Sequence, residues 1–196
     1  MTTKGFLLVM MQPPPALEDE FNAWYDSEHI PERLAVPGFL TGLRFVCLDG
    51  HPRYLALYDL ERYEVLQSPA YRKVGYDQAS PWTRRVTSRV KVWRYAGRQV
   101  VPGDAVTGRP TRLEVLRFHG LEAASAGDLA RAVEAAHGGR PGIARPRILV
   151  HETAPGEAGV VLAVTESKSP ALSIDVAALG PFAGHLDLVN IYAAYG

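Results

Sequence analysis

Hydrophobic periodicity along this chain yields the same order of elements twice, and that repetition constrains the fold more than any other feature. The apolar run 5-GFLLVMM-11 has the form of a central strand, and a helical pattern follows over 16–34. Strand patterns come next at 38-GFLTGLRFVCL-48 and 53-RYLALYDL-60, joined by 49-DGHP-52, where Asp-Gly is a hairpin signal. Residues 61–84 read as irregular helix interrupted by Pro69 and Pro81, and 86-VTSRVKVWRY-95 reads as a closing strand. After the Gly- and Pro-rich 97-GRQVVPGDAVTGRP-110 the order recurs: strand 112–118, helix 125–137, strands 142–152 and 158–165, a short helix near 170–179 and strand 185–195. Pro37-Gly38 precedes the second strand of one copy and Pro141-Gly142, 104 residues on, that of the other.

A βαββαβ unit forms a four-stranded antiparallel sheet with helices on one face, leaving the other face to be covered. Two copies in one chain cover each other by packing bare face on bare face. The expectation is an α+β chain with one copy at 1–98, a linker at 99–111 and a second copy at 112–196, the helices outside a barrel-like core. The competing arrangement sets the halves side by side and completes each sheet pair through a second chain, so both a self-sufficient monomer and a homodimer are open.

Composition limits the partners. Lys+Arg and Asp+Glu both number 21, so the chain lacks the basic excess of a general nucleic-acid or acidic-membrane binder. Cys47 is the single cysteine and no Cys/His spacing has the form of a zinc site, which suits a reducing, cytoplasmic setting with no structural metal. The apolar start has one preceding lysine and is followed by prolines rather than a small-residue cleavage site, so a buried first strand is expected and not a leader. No apolar run has the length of a membrane-spanning helix.

The candidate chemistry sits in 21-FNAWYDSEHIPERLAVPGF-39. At about 100° per residue, Leu17, Phe21, Trp24 and Glu28 share the stripe that should face the sheet. Tyr25 and His29 lie on its flank, with Asn22 close by, while Asp19, Ala23 and Asp26 point to solvent. A carboxylate in an apolar stripe loses hydration and is driven toward its neutral form unless a cation answers it. Arg44 and Arg33 are the cations within reach, so Glu28 is either half of a structural ion pair or a proton-transfer group. His29 exchanges protons near neutral pH, and Pro31 should stop or kink the helix beside it. A helix-terminal histidine with no further role is the alternative. Tyr54 and Tyr58 are i,i+4 on a strand and share one face, either as core phenols or as pocket hydroxyls. Tyr71, Tyr76 and Trp82 form a lid or, more simply, fill space.

The second copy serves as an internal control. Counting back from its Pro-Gly, Trp24, Glu28, His29 and Pro31 align with Asp128, Ala132, Val133 and Ala135. A helix such as 125-SAGDLARAVEAAH-137 meets the needs of the fold without the polar cluster, which favours a functional role for the cluster in the first copy. His119, His137, His151 and His185 are scattered, and surface or capping roles suffice for them.

The pattern W-Y-x-x-E-H-x-P at Trp24–Pro31, followed by 53-RYLALYDLE-61, resembles the EthD-like branch of the dimeric α/β-barrel superfamily. The resemblance covers the first half; the second half matches only as a degenerate copy. It implies two ferredoxin-like repeats forming an intrachain dimeric α/β barrel, with a small-molecule pocket between helix 16–34 and the sheet. It also implies that Trp24, Tyr25, Glu28 and His29 line that pocket. The superfamily includes cofactor-free oxygenases, polyketide cyclases, lactone isomerases and haem-dependent enzymes. The expected activity is metal-free proton transfer of the cyclase, isomerase or lyase kind on a largely apolar or aromatic substrate. His29 would be the base or acid, with Glu28 and Tyr25 assisting it. Trp24, Phe21, Arg44, Tyr54 and Tyr58 would contact the substrate. A non-catalytic metabolite-binding module and a haem-dependent or cofactor-free oxygenase are the alternatives.

Overall fold

A computed structural model describes residues 3–75, 78–155 and 157–195; Tyr76 lies outside them. The strands are β1 (Gly5–Gln12), β2 (Leu43–Cys47), β3 (Tyr54–Leu60), β4 (Lys91–Val101), β5 (Arg112–His119), β6 (Arg147–His151), β7 (Val160–Ser167) and β8 (Leu186–Ala194). They close into one antiparallel barrel in the order β1-β3-β2-β8-β5-β7-β6-β4. Each half contributes four neighbouring strands, and the halves meet where β2 pairs with β8 and β4 with β6. Closure within one chain leaves no strand edge waiting for a partner.

The pleat explains why β1 is apolar throughout. Phe6, Leu8 and Met10 point into the barrel, where they pack with Phe45, Leu57, Leu113, Leu162 and Tyr192. Leu7 and Met11 point outward beneath the first-half helices, joining Phe21, Trp24, Tyr25, Tyr54 and Tyr58. The shared face of Tyr54 and Tyr58 is therefore the outer, helix-covered one. A third cluster, around Leu116, Phe118, Leu129 and Val133, lies under the second-half helix α5 (Ala126–Ala136). Among the described residues no helix is long and apolar enough to cross a membrane.

The two halves share backbone detail. Gly38 and Gly142 both take positive φ, 95° and 82°, which is why glycine follows proline at both points. Each is followed by an isolated bridge to the end of the third strand of its half, Phe39 to Leu60 and Ile143 to Ser167. Asp59 ties the halves together. Its carboxylate accepts from Arg147 Nη1 at 2.9 Å, the Thr107 amide at 2.7 Å and Thr41 Oγ1 at 2.7 Å, all in a buried setting that a lone charge could not occupy.

Several boundaries differ from the sequence reading. Residues 99–101, expected as linker, continue β4 and pair with β6. Pro69 and Pro81 start helices instead of interrupting one: they stand first in α3 (Pro69–Lys73) and α4 (Pro81–Thr87). Ser68 and Ser80 cap those helices by accepting from Tyr71 N and Thr83 N. Val86 is thus the buried contact of a helix, and strand does not begin until Lys91. In the second half β6 is confined to Arg147–His151, and the expected helix near 170–179 is a kinked 3-10 segment, Val176–His185, holding Pro181.

Candidate functional site

The helix, expected over 16–34 to stop or kink near His29, widens there and continues to Leu34. Pro31 has no N–H, and its ring collides with the carbonyl four residues back in a regular helix. The chain relieves this one turn earlier. Between α1 (Glu18–Trp24) and α2 (Ile30–Leu34) it makes a π turn over Tyr25–His29, with the Ile30 amide bonded to the Tyr25 carbonyl. Five residues apart on a regular α-helix means about 140° apart in angle. The π turn removes that angle and lays His29 against Trp24, ring centroids 4.4 Å apart. Tyr25 meets the same imidazole edge-on at 4.8 Å.

These three rings form one wall of a cavity of about 350 Å³ between the first-half helices and the sheet. Leu7, Val9, Met11, Tyr58 and Val92 form its floor, and Tyr71, Val74, Gly75, Ala79, Thr83 and Thr87 its opposite wall. Arg33 and Arg94 complete the lining. The volume is in the range of small-ligand sites, and the mix of an apolar surface with a few polar groups is typical of them.

Charge in the cavity follows from burial. The His29 ring is half-buried and its Nδ1 is fully covered with no hydrogen-bond partner. Desolvation first, then the positive charges of Arg33 and Arg44, hold its pKa well below the usual 6.5, so the imidazole is neutral at pH 7. A neutral imidazole accepts protons. Burial drives the Tyr25 hydroxyl up to about 12 and holds that of Tyr58 well above the usual phenol range. Both phenols therefore stay un-ionised hydrogen-bond donors. Tyr58 Oη donates to Tyr25 Oη at 3.4 Å, leaving the Tyr25 proton for a ligand.

Of the eight residues expected to act on or contact the substrate, His29, Tyr25, Trp24 and Tyr58 line the cavity, and the other four do not. Glu28 turns toward α4 and accepts from Ser80 Oγ at 2.5 Å and Thr83 Oγ1 at 2.7 Å. It pairs with neither Arg44 nor Arg33, and it reaches the cavity only through Thr83, which also accepts from Trp24 Nε1 at 2.9 Å. Arg44 is held by Asp26 and Asn22 at 2.5 and 2.6 Å and lies over the Tyr25 and Tyr195 rings. Tyr54 Oη donates to Glu18 at 2.6 Å, and Phe21 is core. Trp82, bonded to Glu20, is away from the cavity, whereas Tyr71 lines it.

The sequence reading did not mark Thr83, Thr87 or Arg94, and gave Arg33 a different partner. Arg33 is buried and donates to the Val74 carbonyl at 2.6 Å. The alternation of β4, in which Val92, Arg94 and Ala96 share the outward face, was the available signal for Arg94. His137, read as a surface or capping residue, is buried and bonded to the fully buried Glu114 at 2.9 Å.

A haem does not fit these residues. About 350 Å³ is near the small end for ligand cavities (~300–1,000 Å³), and a porphyrin plate with two propionates is a large ligand. His29, which would have to be the axial group, has one nitrogen covered and its ring laid on Trp24. Among the described residues no three His, Cys, Asp or Glu side chains gather as a metal site.

No protein-family model matches the chain, and no curated protein matches it by sequence. Solved structures do match in fold. An anthrone oxidase-like protein is 14% identical with a TM-score of 0.67, the match covering 100% of this chain and 92% of the other. A putative monooxygenase from Lactobacillus acidophilus is 10% identical at a TM-score of 0.55, covering 98% and 93%. A mutant chlorite dismutase from Candidatus Nitrospira defluvii, in complex with cyanide, is 10% identical at 0.57, covering 98% and 91%. At these identities the likeness is one of fold: a mixed α+β chain with a closed eight-stranded barrel, the architecture of the dimeric α/β-barrel proteins.

Proposed function

We propose that the chain is a small-molecule enzyme that removes a proton from an enolisable, largely aromatic substrate bound in the cavity beneath the π turn, with His29 as the base. The observation that carries this reading is a neutral imidazole set in an apolar cavity beside un-ionised phenols and a guanidinium. His29 takes the proton from carbon, the electron pair moves onto the adjacent carbonyl oxygen, and Tyr25 and Arg33 donate to the oxyanion. Trp24 and Tyr58 hold the ring. Glu28 acts at one remove, fixing Thr83 and through it Trp24. Reprotonation at another carbon gives isomerisation, attack on an internal electrophile gives cyclisation, and expulsion of a leaving group gives a lyase reaction.

A second reading shares the first step. The likeness in fold to an anthrone oxidase-like protein and a putative monooxygenase supports a carbanion that then reacts with molecular oxygen. The W-Y-x-x-E-H-x-P motif supports placement in the EthD-like branch, and the identical strand order of the halves supports two fused ferredoxin-like repeats acting as one self-sufficient unit.

The test is deuterium incorporation from heavy water into a panel of aryl ketones and anthrones, under argon and then in air with oxygen uptake recorded. His29→Gln should slow incorporation by roughly 10²–10⁴-fold, the usual worth of a general base. Incorporation by the variant at the wild-type rate removes the base assignment. Oxygen uptake following incorporation selects the second reading. Compounds that bind without any incorporation reduce the site to a binding pocket.

A further inference from the structure

Two arginines, Arg33 and Arg94, line the cavity, and no carboxylate among the described lining residues answers either. Arg33 is only 7% exposed, a setting in which a cation is ordinarily matched by an anion. It has one protein hydrogen bond, to the Val74 carbonyl, and the face of Tyr71 lies 5.6 Å away. A guanidinium has five donors, and no remaining Arg33 nitrogen is both fully covered and without a partner. Arg94 is exposed at the rim and has no hydrogen bond or ion pair among the described residues. It stands on β4 opposite Val9 of β1, so the strand register fixes it beside the cavity floor. Arg44, the cation the sequence suggested for an anionic substrate, is already occupied by Asp26 and Asn22. The positive charge of Arg33 also acts on His29, a sign that the cavity is electropositive.

We infer that the substrate is an aromatic carboxylate, its ring against Trp24 and Tyr58 and its carboxylate held by Arg94 with Arg33. This rests on the cavity being the substrate site and adds the class of molecule it takes. A carboxylate completes what the protein leaves open: it accepts charge-assisted hydrogen bonds from the planar forks of both arginines. Arg94 is the specificity-determining residue, because no other described residue engages it.

The test is binding, independent of turnover, of a naphthalene carboxylate and its neutral carboxamide, followed by tryptophan fluorescence and calorimetry at low salt. The wild type should bind the carboxylate roughly ten-fold or more tighter than the carboxamide, a preference that weakens as salt screens the exposed arginine. Arg94→Gln should lose most of the preference, Arg94→Lys should regain part of it, and His29→Gln should keep it. Arg33→Gln also loses the Val74 contact, so Arg94 carries the decision. Equal binding of the two probes by the wild type overturns this inference and leaves the proposed function standing. So does a preference undiminished in Arg94→Gln. Failure of both probes to bind overturns the cavity as the substrate site and this inference with it.

Discussion

The two halves solve the same packing problem differently at equivalent places. Leu7 pairs with Tyr58 across β1 and β3, and Glu114 pairs with Thr165 across β5 and β7, a shift of 107 residues in both cases. In the first half this pair is the floor of a cavity. In the second half Glu114 is fully buried and bonded to His137 at the end of α5, and Leu129 and Val133 pack directly onto the sheet. The helices account for the difference. The helix α5 is regular and narrow-chested, its inward residues Ala126, Leu129, Val133 and Ala136. The first-half helix carries large rings and a π turn, which hold it off the sheet and turn His29 inward. The fold needs a helix here; it does not need the widened one.

Restoring regularity to the first-half helix should produce the largest effect. Replacing Pro31 by Ala removes the ring clash that widens the helix, returns the segment toward α geometry and sets His29, still five residues on, about 140° away from Trp24. Deuterium incorporation should fall by roughly 10²-fold or more while circular dichroism stays unchanged. Retained turnover would separate the chemistry from the π turn.

The next effect is in stability and runs the other way between halves. Glu114→Ala strands His137 in the interior and should cost about 3 kcal/mol in urea unfolding, within the range for breaking a buried pair. His29 has no hydrogen-bond partner to strand at Nδ1, so His29→Ala should cost about 1 kcal/mol or less while removing turnover. Equal losses of stability would mean that His29 is as structural as His137.

Much of this was legible in the chain. The doubled element order, the Pro-Gly pairs and the cluster around His29 all follow from periodicity and residue type. What was not legible depends on small displacements. A single offset of 104 residues aligned His29 with Val133, yet the strands before the helix are offset by 107. The three-residue difference arises between β1 and Gly38, the stretch that holds the widened helix, so a linear alignment cannot give His29 its true counterpart. The same extra turn moved Glu28 to face Ser80 and Thr83, partners more than fifty residues distant in a region whose prolines masked its helices. Glu114 sits within a strand pattern, and nothing in its neighbours shows that an imidazole from α5 will cover it.

The central claim is that the π turn holds a neutral imidazole in the first-half cavity, and the titration of His29 tests it most directly. Burial disfavours the charged ring, so below about pH 6.5 the unfolded chain takes up a proton that the folded protein refuses. The corresponding stability is complete above that pH and declines as the pH falls toward the folded-state pKa. In the intact protein, the His29 ring resonances followed by NMR, and assigned with His29→Gln, should show a midpoint well below 6.5. A midpoint at or above 6.5 would mean an imidazolium at neutral pH and would contradict the account of His29 as the base.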